Sequence, residues 1–153
     1  MTWSLKLQNG DLALGGKGFQ KATDDEKLIQ DLRCHLLQKM GENDLHPTFG
    51  SLLDGGVMPD GQLKQSLIGM NDQNLAASLI QIEIQRILSN YQDAQLARAK
   101  QDKIHYGKAT LTKKEVLFAI NSIQVTANMD NLYVLISLTT GTSGAKILEM
   151  TLQ

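Results

Sequence analysis

Apolar side chains keep two different periods in this chain, and the change from one to the other limits the folds open to it. Leu28, Ile29, Leu32, Leu36, Leu37 and Met40 recur at spacings of three and four, whereas Ile123, Val125, Ala127 and Met129 alternate with polar residues. The first spacing lines one side of a helix, and the second lines one face of a strand. Helical pattern precedes strand pattern instead of alternating with it. This predicts an α+β fold, with two main helices packed on a small antiparallel sheet, an N-terminal hairpin and a C-terminal three-stranded meander. At 153 residues and 16.8 kDa one domain suffices, and a domain of this size buries roughly two thirds of its unfolded surface. We divide the domain 1–153 into a hairpin and connector (1–22), a helical part (23–120) and C-terminal strands (121–153).

The first helix carries signals at both ends. Thr23 and Glu26 have the spacing of a capping box, Asp24, Asp25 and Glu26 suit the positive end of the helix dipole, and Arg33, His35 and Lys39 suit the negative end. Gly41 is expected to close it in the left-handed conformation. Before it, Trp3 to Leu7 alternates as a strand, Gln8-Asn9-Gly10-Asp11 reads as a turn, and Leu12 to Leu14 returns. Asp54 to Asn74 is glycine-rich and polar, and reads as a loop with a turn or two of helix around Leu63, Leu67 and Ile68. Asn71 or Asp72 then caps a second helix carrying Leu75, Leu79, Ile80, Ile82, Ile84, Ile87, Leu88 and Tyr91. The alternation from Ile80 to Ile84 also fits a strand, but length and the Ile80, Ile84, Ile87, Tyr91 spacing favour a helix, extending toward Asp102. Thr112 and Glu115 repeat the capping-box spacing and predict a short helix through Ala119. In the meander, Asp130-Asn131 and Gly141-Thr142-Ser143-Gly144 are the turns, with Leu132, Val134, Ile136 and Leu138 on one face of the middle strand and Leu148, Met150 and Leu152 on one side of the last.

Between the helices the residue types follow no period. Glu42-Asn43-Asp44-Leu45-His46-Pro47-Thr48-Phe49-Gly50 contains a proline that pushes His46 toward extended backbone and a glycine that permits a turn. Physics alone reads this as a helix-to-helix connection anchored by Phe49. The order helix, Gly41-Glu42, polar residues, Pro47-Thr48-Phe49-Gly50, then the apolar pair Leu52-Leu53 resembles the small baseplate wedge protein family of contractile phage tails. That family includes a related type VI secretion baseplate subunit and carries an older "lysozyme-like" label. The resemblance covers about 28 to 91 and, more loosely, the C-terminal strands.

The resemblance implies a structural protein of the virion's tail baseplate, assembled in the host cytoplasm, in six copies, and not an enzyme. Its implied partners are other baseplate wedge proteins and the tail sheath protein, with tail tube or hub proteins as further candidates. The wedge-binding residues would be Gly41, Glu42, Pro47, Phe49, Gly50, Tyr91, Gln92 and Asp93. Here the chain departs from the family: Tyr91 is followed by Gln92, Asp93 and Ala94 where the family has Glu-Pro-Arg, so the charge-paired Glu and Arg are missing. The sheath-binding residues would be the last strand, Ala145, Lys146, Ile147, Leu148, Glu149, Met150, Thr151 and Leu152. A free edge there offers backbone groups for strand addition. The residues alone favour an edge guarded by Lys146 and Glu149, and it is the resemblance that shifts the reading toward addition.

Other function classes find less support. A net charge of -1 argues against a dedicated nucleic-acid binder, and the six Lys or Arg against three Asp or Glu in 92–115 read as a solvated face. The longest apolar runs, Val116 to Ile120 and Leu132 to Ile136, fall far short of the roughly 20 residues that cross a bilayer, and no secretory signal opens the sequence. Cys34, the only cysteine, precludes an intrachain disulfide and reads as a small buried thiol. Gly15-Gly16-Lys17-Gly18 lacks a phosphate loop's leading glycine, with Asp11 in its place, and its metal-binding hydroxyl, so a connector is predicted. No cofactor or metal is expected: Cys34 and His35 point about 100° apart on a helix, and His46 and His105 lack ligand spacing. The competing class is a peptidoglycan-degrading muramidase, for which Glu42 with Asp54 is the one carboxyl pair to nominate.

Overall fold

A computed structural model describes residues 2–9, 11–16, 18–128, 131–142 and 144–152. The N-terminal segment folds as three short arms around one point. Strands β1 (Trp3–Leu5), β2 (Leu7–Gln8), β3 (Asp11–Leu12), β4 (Leu14–Gly15), β5 (Gly18–Phe19) and β6 (Lys21–Thr23) pair antiparallel as β1 with β6, β2 with β3 and β4 with β5. At the centre the Lys6 N–H donates to the Gln20 carbonyl, the Gln20 N–H to the Ala13 carbonyl and the Ala13 N–H to the Lys6 carbonyl, each at 2.9 Å. Two-residue strand pairs are not stable alone, and this closed ring of three bonds ties them into one unit. The expected hairpin is therefore one arm of a junction, and the expected connector at 15–18 is another arm. Gly10 and Lys17, within two of the expected features, lie outside the described residues.

Helix α1 (Asp24–Leu37) buries Leu28, Leu32 and Leu36 of the predicted stripe, leaves Ile29 half-buried, and exposes Leu37, which lies off the buried i, i+4 row. It ends earlier than its apolar spacing suggests. Gln38 turns extended and Lys39–Met40 become strand β7, because the Gln38 carbonyl is taken by the Ser51 N–H at 2.7 Å. Gly41 consequently ends a strand and does not close the helix. The capping box is also absent: Thr23 makes no side-chain cap bond, and Glu26 pairs instead with Lys6 at 2.5 Å.

The glycine-rich segment corrects the sequence reading most. It forms strand β8 (Ser51–Val57), parallel to β7, and strand β9 (Leu63–Ser66), antiparallel to β8, with no helical turn at Leu63. Gly56 explains the close parallel pairing, since a β-carbon there would stand 2.7 Å from the Met40 carbonyl oxygen. The proline-containing loop accordingly joins strand to strand.

Helix α2 runs Gln73–Tyr106, past the expected Asp102, and its 34 residues span roughly 50 Å at 1.5 Å per residue. Asp72 caps it, accepting from the N–H groups of Asn74 and Leu75 at 3.1 Å, and Gly107 closes it in the left-handed conformation. Ala76, Ile80, Ile84, Ile87 and Leu88 are buried, so the ambiguous Ile80–Ile84 stretch is helix. The predicted helix after Thr112 does not form. Glu115 accepts from the Thr112 N–H at 2.7 Å, but strand β10 (Leu117–Asn128) begins two residues later and consumes the segment.

The meander is as expected: β10, β11 (Asn131–Thr140) and β12 (Ala145–Leu152) pair antiparallel in that order. Leu132, Val134, Ile136 and Leu138 from β11, with Leu148 and Met150 from β12, meet the apolar stripes of both helices in one core. Met129, Asp130 and Ser143, named in the expected alternation and turns, lie outside the described residues, as does the side chain of Leu152.

Candidate functional site

The loop after β7 is ordered by its own short-range bonds. Asn43 accepts from the Leu45 N–H through Oδ1 and from the His46 N–H through its carbonyl, and the Phe49 N–H donates to the His46 carbonyl at 2.9 Å. Phe49 then stacks on His35 of α1, ring centroids 3.9 Å apart and 27° from parallel, while Tyr91 of α2 meets the same imidazole edge-on at 6.1 Å. Gly50 is buried at φ +109°, and a β-carbon would sit 2.5 Å from the Gln38 carbonyl oxygen. The loop can pass that close to the α1–β7 corner only because position 50 has no side chain.

Beneath the loop lies an open cleft of about 310 Å³, lined by His35, His46, Phe49, Arg86, Asn90 and Tyr91 among others. Among the described residues no carboxylate lines it. Arg86 donates to buried Glu83 through Nε at 2.8 Å and Nη2 at 2.6 Å, and Glu83 also accepts the Leu52 N–H at 2.8 Å, holding the start of β8 against α2. Burial, reinforced by the Arg86 charge and opposed by Asp31, holds the His35 imidazole below its ordinary range. Burial, and after it the charge of Asp31, pushes the Tyr91 phenol up, so it stays protonated and donates to Asp31 at 3.4 Å.

The eight wedge-contact candidates therefore divide. Phe49, Gly50 and Tyr91 build the inside of the loop site; Glu42 and Pro47 face solvent, Glu42 accepting from the Gln38 amide at 2.9 Å. Gly41 sits half-buried against Val57. Gln92 turns inward, donating to the carbonyls of Leu117 and Phe118 at 3.2 and 3.1 Å, and Asp93 beside it is exposed. His35, Glu83 and Arg86 have no sequence signal beyond their helices. Glu83 in particular is hidden in an alternating run.

Strand β12 pairs with β11 alone among the described residues. Leu148 and Met150 face the core, whereas Ala145, Ile147, Glu149 and Thr151 are exposed. Helix α1 reaches the strand twice: Lys146 pairs with Asp25 at 2.8 Å, and Arg33 donates to the Glu149 carbonyl at 3.3 Å.

For glycoside cleavage one carboxyl must be kept protonated by a desolvating pocket. Glu42 is exposed, and Asp54 is exposed and paired with Lys39 at 3.5 Å. Cys34 is half-buried at the side of α1, and burial followed by the Asp31 charge pushes its thiol up. Among the described residues no three His, Cys, Asp or Glu side chains gather as a metal site, and no helix is long and apolar enough to cross a membrane. Comparison with models of known protein families and with curated proteins yields no match to this chain.

Proposed function

We propose that this chain is a structural subunit of a contractile tail baseplate wedge, acting as the platform on which the sheath starts to polymerise. The observation that carries the reading is the edge of β12, which among the described residues has a paired neighbour on one side only. Arg33 of α1 takes the Glu149 carbonyl at 3.3 Å, and the remaining outward backbone donors and acceptors of that edge can take a strand from another chain. Lys146, paired with Asp25 of α1, fixes the start of the strand. The ordered loop around Phe49, with Glu42, Pro47 and Asp93 in solvent, supplies a second, stiff surface for neighbouring wedge proteins. The catalytic alternative gains nothing from the exposed positions of Glu42 and Asp54.

Deleting the last strand is a poor test, because Leu148 and Met150 belong to the core. A proline scan of 145–151 is better. Alternate residues of an edge strand direct their N–H away from the sheet, and proline there removes a donor without breaking a ladder bond. Folded variants at alternate positions should lose sheath recruitment while still joining co-expressed wedge proteins. Sheaths that form normally on every folded proline variant would exclude strand addition.

A further inference from the structure

The N-terminal junction shows its large apolar side chains to water. Among the described residues of 2–23, only Ala13 and Ala22 are buried, whereas Trp3, Leu5, Leu7, Leu12, Leu14 and Phe19 are 39–71% exposed. The pattern is built in. The three central residues Lys6, Ala13 and Gln20 are spaced by seven, and each is flanked by residues of two neighbouring arms: Leu5 and Leu7, Leu12 and Leu14, Phe19 and Lys21. Side chains alternate across an extended chain, so these flanking residues share the face opposite the three central ones. Leu7 stands directly across from Leu12, and Leu14 from Phe19. The Lys21 ammonium lies over Trp3, 4.2 Å from its ring centroid.

Six side chains of this size and exposure present on the order of 500 Å² of apolar surface, at the upper end of what a monomer leaves open. Ordering some 20 residues while burying two alanines gains little against the entropy lost, so a covered state is the natural one for this module. We infer that the junction is a homodimer interface, in which the Trp3–Leu5–Leu14–Phe19 face of one chain packs on the same face of a second copy. The area decides for a second copy. Two such faces remove about 1,000 Å² of apolar surface, and with a polar rim reach the roughly 1,200–2,000 Å² of stable specific interfaces. A two-fold contact needs only a self-complementary patch, and this one is apolar and nearly free of charge. A net charge of -1 adds little repulsion between copies. The inference does not depend on the proposed role in a tail.

Sedimentation velocity of the full chain over a concentration series tests it. The wild-type protein should pass from monomer to dimer at micromolar concentration, and Leu14→Glu with Phe19→Glu should raise the dissociation constant on the order of 100-fold. Both positions are exposed, so the variant should keep its circular dichroism spectrum. As a second route, Leu14→Cys in a Cys34→Ser chain should give an oxidised, covalently linked dimer. A wild-type chain that stays monomeric throughout overturns the inference. So does a dimer that survives both glutamates, or binding of a monomer through this face to phosphatidylcholine vesicles.

Discussion

Gly50 is the position where a single atom decides the loop. An added β-carbon would stand 2.5 Å from the Gln38 carbonyl oxygen at a φ of +109°, and neither backbone can yield without moving the α1–β7 corner. Gly50→Ala should therefore cost about 3 kcal/mol in urea unfolding. Glu83→Ala strips Arg86 of its partner and leaves the Leu52 N–H unpaired in a half-buried setting; since Arg86 keeps some contact with water, a loss of about 2–3 kcal/mol is expected. His35 supplies a pH signature. Its folded form resists the proton that the unfolded chain accepts near pH 6.5, so stability held above that value is lost as the pH falls beneath it. Glu115 acts in the same direction at lower pH: burial alone would raise its pKa, but bonds from Thr2 and Thr112 outweigh burial and hold it low. Its stabilisation is present above the ordinary carboxylate range and fades below it. Urea midpoints should fall between about pH 7 and about pH 5 in the wild type and fall less in His35→Gln; coincident profiles would show that the imidazole does not carry the effect. None of this was legible beforehand. Gly50 reads as a turn, but the carbonyl it must clear belongs to Gln38 and enters through tertiary structure, while Glu83 stands in a run whose spacing favours a helix without marking this carboxylate as buried.

Helix α2 is two elements in one. Its fully buried apolar stripe ends at Leu88, and in the remaining 18 residues, Ser89 to Tyr106, Tyr91 still packs at the margin of the core while the stretch after it is fastened by polar side chains. Gln92 holds the carbonyls of Leu117 and Phe118; Gln95 donates to the Glu115 carbonyl at 2.7 Å and accepts the Leu117 N–H at 2.9 Å; Asp102 accepts both the N–H and the hydroxyl of Thr110. Those Thr110 bonds, the hydroxyl first, hold the Asp102 carboxyl below its usual range. Gln95→Ala removes two bonds to backbone and should cost about 1–2 kcal/mol. Amide exchange should speed up from Ser89 to Tyr106 and at the start of β10, while the core strands β11 and β12 stay protected; uniform acceleration would mean that the arm is not a separate unit. At this scale, elements whose apolar period is long were readable: α2, the body of α1 and the meander. Elements defined by something other than period were not. β8 carries two adjacent glycines and reads as loop, yet those glycines are what let β7 and β9 come close. β7 is cut from the end of a helical pattern by a hydrogen bond from Ser51, which no local signal announces. The polar clasp is invisible for a simpler reason: a glutamine that grips a carbonyl and one that faces water are the same letter.

The whole molecule leaves more surface in water than its mass requires. Its accessible area is 9705 Å², against about 7,700 Å² for a compact monomer of this size, and the unfolded chain would expose about 24,000 Å². Folding alone thus buries about 60% of the chain's surface, the fraction typical of a domain of about 60 residues rather than one of 153. The excess comes from features already described: the three-armed junction with its apolar face outward, the helical arm beyond Leu88, and a sheet edge with one neighbour. Each is a surface that a partner can cover, and this is the shape expected of a part whose final contacts are made in an assembly. It has a thermodynamic consequence. Unfolding exposes less area than in a compact protein of equal length, so the urea m-value should lie about 10% below the size-based expectation, and the isolated chain should be only marginally stable. A partner that binds only the folded state must then raise the melting temperature in proportion to the logarithm of its concentration. Titrating the purified chain with wedge or sheath protein in a thermal-shift series should show that rise, larger than for a non-cognate protein at equal concentration. A chain that already melts as high as a fully compact domain, and gains nothing from any partner, would place these surfaces permanently in water and remove the physical basis for the proposed platform role.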